Sequence, residues 1–488
     1  MVLMAAGAAA QVDDDWGFDD GSWLDQSDYD KFRRQGDSIF DAYRDSINAR
    51  FARALAGKWE EFEIDAPVAR PHSPEPKTPP VAPKSTEPRK PIDIELLPSA
   101  PVKPAPIPRI APRQLPMPKP PQLSETVMLP YYGTSVSIDM PTQKDMATCR
   151  LEGVDEQSVS RFWQQLAKAD LQSSAAPLML AQKAMRLNDW GVYDMTMKLV
   201  RKIFAGNRDA QAVAAVFLMN QMEYDALVAR TSAGLACLIA IGSQVYGVPY
   251  ITTSNTKYYI LMPDGTKIGD GRLSTYRVRF EKASLAMDLC LAKNPMLPRN
   301  VSSRKYKRSV AGNTVSITVN QNLMDFYASY PQVETAFYAN ADVDSTVAAS
   351  LLSQFRPLVS GKGKREAVAA LLKHIQYGFD YATDDDQFGY EKPFFVEENF
   401  YYPKNDCEDR AILLSWLVRR LVGLDVVLLH YPNHLSMAVC FPETVTGTYV
   451  MVDGKRYVEC DPTYIGAAIG ETQPDYRGVR PEVIKVSR

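Results

Sequence analysis

Three side chains could together carry nucleophilic acyl chemistry: Cys407 in KNDCEDRAIL, His434 in NHLSMAVCF and Asp461 in YVECDPTY. A thiolate attacks a carbonyl carbon, an imidazole moves the proton, and a carboxylate orients the ring. Each interval is 27 residues long. The setting of the cysteine poses a problem, because Asp406 precedes it and Glu408 and Asp409 follow, and negative neighbours disfavour a thiolate. The chain has only four histidines, so a Cys–His pair has few possible partners.

Elements of suitable length must position these groups. Ile412, Leu413, Trp416, Leu417 and Leu421 follow Cys407 with helical spacing, which puts the thiol in the first turn of a helix. Unpaired N–H groups and the helix dipole there lower a thiol pKa. Asp406 is spaced to be the N-cap and Asp409 its capping-box counterpart, so both acids are expected to serve backbone N–H groups. His434 opens a strand whose alternation groups it with Ser436 and Ala438. Tyr457, Glu459 and Asp461 share a face of the next strong strand, and Pro462 stops it. On this reading His434 holds Cys407 as thiolate and protonates the leaving amine, while Asp461 orients the ring.

These motifs, DCEDRAILLSWLVRRL, NHLSMAVCF and YVECDPTY, resemble the transglutaminase-like superfamily, relatives of the papain-like cysteine peptidases, over about residues 340–488. The segment FDYATDDDQFGYEKPFFVEENFYYPKNDCEDR is similar to the stretch that leads into that family's nucleophile. The resemblance implies Cys407 as nucleophile, His434 as acid/base, Asp461 as orienter, and an oxyanion hole made partly by the Cys407 backbone N–H. Gln387 and Tyr402 are candidates for its side-chain donor, with Asp406 as an auxiliary residue. The implied reaction is acyl transfer through a thioester on a protein or peptide substrate, with peptidase or amidase hydrolysis favoured over cross-linking. The alternative is a binding or scaffold protein with two idle modules.

The rest of the chain divides by composition. Residues 1–10 end in Ala8-Ala9-Ala10, which fits the end of a secretory signal and a periplasmic or secreted protein; a genuine start at residue 1 makes it cytoplasmic. Residues 11–66 are acidic. Within them Phe32, Ile39, Phe40, Tyr43, Ile47, Phe51, Leu55, Trp59 and Phe62 mark one face of a long helix. That face either packs on its own protein or, through residues 30–62, docks a partner or a second copy. Residues 67–121 hold 19 of the 35 prolines and read as a disordered spacer. An α+β fold is expected beyond: a degenerate transglutaminase-like domain over 122–270, a β-rich connection over 271–335 and the catalytic domain over 336–488.

A shift of 200 residues aligns 207–241 with 407–441 without gaps, in the same order of helix, strand, turn and strand, which suggests a diverged duplication. The earlier copy has Asn207, Gly234 and Met262 where the later has Cys407, His434 and Asp461. None can do its counterpart's chemistry. Other chemistries lack support. A net charge of −3 offers no basic footprint for nucleic acid, and no run is long and apolar enough to span a bilayer. No CxxC pair occurs. Pro432 breaks any helical pairing of His430 with His434. Asp384-Asp385-Asp386 lacks the spacing and glycine of a calcium loop and reads as a solvated turn. SGKGKRE lacks a phosphate loop's spaced glycine. No metal or cofactor is expected.

Overall fold

A computed structural model describes residues 43–70, 78–83, 102–103, 105, 124–268 and 271–487. The fold is mixed α+β, with two six-stranded sheets. In the first, the strands run in the order Glu60–Glu63, Arg272–Thr275, Ala226–Thr231, Gly234–Ala240, Thr256–Leu261, Tyr250–Thr253. In the second, the order is Val102–Lys103, Glu482–Lys485, Val426–Tyr431, His434–Val439, Lys455–Glu459, Tyr449–Val452. Position for position the orders agree, and the first hairpins share one register 200 residues apart. Ala226 faces Ile239 and Thr231 faces Gly234; Val426 faces Val439 and Tyr431 faces His434. Only the outermost strand differs in sense: Glu60–Glu63 is antiparallel to its neighbour and Val102–Lys103 is parallel.

One helix precedes each hairpin, Arg208–Gln221 in the first unit and Cys407–Leu417 in the second. All eleven residues of Cys407–Leu417 are buried, including Glu408, Asp409 and Arg410. Its start is set by the Asp406 cap. Its end runs through a π-type turn, Val418–Val422, to Gly423, whose φ of 71° suits glycine. Helices Glu156–Lys168, Ala175–Ala184 and Asp189–Ile203 complete the first unit. A hairpin of Val301–Val310 with Asn313–Asn320, followed by helices Gln321–Ala328, Thr335–Asn340, Ser345–Val359 and Lys364–Gly378, leads to the second. One continuous apolar core links both units.

Several expectations change. The amphipathic N-terminal helix is described from residue 43 and ends at 55. Beyond Gly57, alternation takes over and Glu60–Glu63 is a strand. Ile47, Phe51, Leu55 and Trp59 are buried, with Phe51 against Trp163 and Tyr276. That face is therefore spent on the chain's own first unit, which removes the docking reading for this part of 30–62; Phe32, Ile39 and Phe40 lie outside the described residues. The strand Arg272–Thr275 belongs to the first sheet, so that unit runs past residue 270. Within the expected β-rich connection, SLAMDLCL forms only single bridges, at Leu285 and Met287. The 67–121 segment is not wholly a spacer, since Arg70 is buried and Ala82 and Val102–Lys103 pack on the second unit. No described helix is long and apolar enough to cross a membrane.

Candidate functional site

Cys407, His434 and Asp461 are only 4%, 3% and 1% exposed, so each has been taken almost wholly out of water. Cys407 opens its helix against the strand His434–Val439, and the backbone N–H of Leu435 points to its sulfur. On that strand His434 turns Nε2 to Asp461 Oδ2 at 2.9 Å. Asp461 lies in the turn after Lys455–Glu459. Its Oδ1 accepts the backbone N–H groups of Thr463 at 2.8 Å and Tyr464 at 3.2 Å. Burial alone would raise this carboxyl. The His434 charge and hydrogen bond, with the Gln473 bond, outweigh it and hold Asp461 below the usual carboxylate range.

Two further residues complete the imidazole's setting, and the sequence reading missed both. Gln473 Nε2 donates to Asp461 Oδ2 at 2.7 Å and lies 3.0 Å from His434 Nε2. The Tyr476 ring stacks on His434 with centroids 5.2 Å apart and planes 16° apart. Both belong to ETQPDYRG, a loop-like stretch with no periodicity to flag it. A third, Gln376, fixes the Asp461 turn from the helix Lys364–Gly378. Its Nε2 donates to the carbonyls of Asp461, Tyr464 and Ala467.

The helix cap follows the sequence expectation. Asp406 Oδ1 accepts from the backbone N–H groups of Glu408 at 3.2 Å and Asp409 at 3.5 Å, and Asp409 Oδ2 accepts from Asp406 N at 3.2 Å. This capping box uses the N–H groups of Glu408 and Asp409, so that of Cys407 lies outside it.

The expected low thiol pKa is overturned. Burial, then the charges of Asp406 and Glu408, push the Cys407 thiol well up, and the Leu435 N–H only partly offsets them. Capping satisfies the acids' hydrogen bonds without cancelling their charge. Among the described residues no hydrogen bond joins the thiol to His434, and burial with the neighbouring charges favours the neutral thiol over the thiolate.

Gln387 and Tyr402 are not brought to the triad. The Gln387 side chain is committed to the Lys404 backbone, donating to its carbonyl and accepting from its N–H, each at 3.2 Å. Tyr402 packs on Phe388 and Phe394 with the Lys392 ammonium 5.0 Å from its ring centre. Aromatic packing and local strand pairing, Asp380–Tyr381 with Lys404–Asn405, hold these two residues elsewhere.

The solvated-turn reading also fails for Asp384, which is buried. Carboxylate oxygens of Asp384, Asp406 and Asp409 lie within 4.8 Å of one another, as do those of Asp384, Glu391 and Glu408. Carboxylate oxygens are the ligand type a hard cation takes, though it takes six or more in all. Burial and the charges of Asp406 and Glu408 push Asp384 up to about 10. Arg70 supplies a fixed positive charge at one side, 3.5 Å from Glu408 Oε2, with both side chains 4% exposed. Arg70 also donates to Val333 O and to Thr335 Oγ1 and lies near the Tyr246 and Tyr338 rings.

No protein-family model, curated protein or solved structure matches this chain.

Proposed function

We propose that the unit over 336–488 is a transglutaminase-like cysteine hydrolase or acyltransferase, and that the unit before it is a diverged, non-catalytic copy. The observation that carries this reading is the buried His434–Asp461 hydrogen bond beside the helix that Cys407 opens. With Nε2 turned to Asp461, Nδ1 is the nitrogen left for the thiol.

The mechanism differs from a resting ion pair. The Cys407 sulfur attacks the carbonyl carbon of a peptide or glutamine amide as its proton passes to His434. The developing oxyanion takes the Cys407 backbone N–H. Collapse breaks the C–N bond, His434 returns the proton to the leaving amine, and a thioester remains. Water or an amine then attacks it, with His434 as base, and restores the thiol. Hydrolysis is the favoured outcome, because water is always available to compete.

The raised thiol pKa and near-complete burial favour a second reading, a binding or scaffold module in which both units are idle. Alkylation by a small thiol probe separates the two. The enzyme reading expects Cys407, with His434 beside it to take the proton, to react faster than the equally buried Cys460 and to lose that advantage in His434→Ala. A Cys407 rate no higher than that of Cys460 and unchanged by His434→Ala would leave the scaffold reading. Substrate profiling with product identification by mass spectrometry then names the amide and the acceptor.

A further inference from the structure

The turn that holds Asp461 continues into an edge that already carries a peptide. Gln376 clamps this stretch from behind: its amide N–H groups take the carbonyls of Asp461, Tyr464 and Ala467, and its oxygen accepts Gly466 N. The backbone of Ile465 is thereby turned outward. Residues 80–82 of the proline-rich segment meet it in a single parallel bridge, Val81 to Ile465, with Ile465 N donating to Pro80 O and Ala82 N donating to Ile465 O, both at 2.8 Å. Ala82 is buried between Tyr464 and Ala467, and Val81 is 65% exposed.

These contacts define what the edge accepts. The first position supplies only a carbonyl, so proline is tolerated there. The second side chain faces solvent, so its identity is free. The third must donate an N–H, which excludes proline, and must be small to fit against Tyr464 and Ala467. Main-chain pairing gives affinity and the alternate side chains give selectivity, the logic of strand addition to a sheet edge. Polyproline-like segments suit it, because their extended form is already set before binding.

We propose that the Tyr464–Ala467 edge is a binding site for extended peptides of the pattern proline or other, any residue, small non-proline residue, and that the full chain fills it with its own Pro80-Val81-Ala82. The segment is held nearby by the buried Arg70 before it and the Val102–Lys103 strand after it. Tethering gives it an effective concentration on the order of millimolar, so an outside peptide must compete with it. This deepens the proposed function by giving the Asp461 side of the site a peptide subsite, and it rests on that reading only for a link to turnover.

The test uses the full chain and needs no activity. Ala82→Pro removes the N–H that bonds Ile465 O, and Ala82→Arg overfills the small pocket; either variant suffices if the other does not fold. The probe is the fluorescent peptide KTPPVAPK, the sequence of residues 77–84. Hydrogen exchange at the Ile465 amide is expected to speed up at least ~10-fold in the variants, as a protected site becomes an open one, and the peptide is expected to restore protection. It should bind the variants but not the parent chain at micromolar concentration, and KTPPVPPK should bind neither. Unchanged Ile465 exchange in a folded variant overturns the proposal, as does a vacated edge that ignores KTPPVAPK. His434→Ala is expected to leave peptide binding intact, so failure of the catalytic reading and failure of this one are told apart.

Discussion

The two units share a sheet order and a hairpin register, yet they treat one backbone N–H differently. In the first, the Leu235 N–H donates to Asp209 Oδ1 at 2.7 Å. In the second, the Leu435 N–H points at the Cys407 sulfur. The residue before each is equally telling. Gly234 has a φ of 114°, and a Cβ there would lie 2.5 Å from Asp209 Oδ1 and 3.0 Å from the Arg208 guanidinium. The volume that holds an imidazole in the second unit is filled by Arg208 and Asp209 in the first. On the proposed reading of two related units, side chains from the first unit's own helix start leave no room for a side chain at position 234.

The largest effect is expected from His434→Ala, which should lower thioester formation by about 10⁴–10⁶-fold, the range found for removing one member of a catalytic set. Thermal melting should fall as well, because Asp461 is left buried without its partner, so rates are compared where the variant is still folded. Single-turnover assays with the substrate that profiling identifies would check this, and retained turnover would make the second unit as idle as the first.

Arg70→Ala should cost about 3–5 kcal/mol in a denaturant melt, because it leaves Glu408 buried beside other acids without its cation. A less buried pair of the first unit offers a contrast: Arg279 lies 3.3 Å from Asp225 and is 40% exposed. Arg279→Ala should therefore cost no more than about 1 kcal/mol. Similar costs for the two would mean that burial does not distinguish them.

Gly234→His in the first unit should destabilise by about 2–4 kcal/mol, from backbone strain together with overpacking. A neutral result in a thermal melt would mean that Arg208 and Asp209 yield easily and the first site is closed only loosely.

The acids of the second unit also set a pH dependence. Glu459 is pushed up to about 7, Glu397 to about 8 and Asp384 to about 10, burial being the largest cause in each. Raised carboxyls bind more protons folded than unfolded, so stability is greatest below the unfolded values and declines as pH rises from about 4.5 through 8. Asp461 acts in the opposite sense, since its folded pKa is lowered: its contribution is present above the unfolded value and is lost as pH falls through the folded one. Melting temperature should therefore fall between pH 5 and 8, and Asp384→Asn should flatten that slope. An unchanged slope would locate the pH dependence elsewhere.

The smallest effects concern the caps. Asp406→Ala and, in the first unit, Asn207→Ala should each cost about 0.5–2 kcal/mol, because each side chain accepts a backbone N–H at its helix start. Only Asp406→Ala should also lower the Cys407 thiol pKa, measured by alkylation rate against pH, since it removes a negative neighbour. A rise would reverse the charge argument made for this site.

Short-range sequence pattern set the local parts of this protein. Helix periodicity after Cys407, the Asp406–Asp409 capping box, alternation through His434 and the strand ending near Asp461 are all written within a few residues, where hydrogen bonds and side-chain spacing act directly. The 200-residue offset was legible for the same reason, as one local pattern occurring twice. Tertiary structure alone decided the state of the thiol, because burial depends on everything packed around it and outweighs the helix dipole. It also decided the partners. Arg70 reaches Glu408 across 338 residues of chain, Gln473 and Tyr476 come to His434 from an aperiodic loop, and Ala82 finds the Asp461 turn from within a proline-rich stretch. None of these residues carries a local signature of its role, since a contact between distant segments is set by how the two sheets and their helices close around a common core.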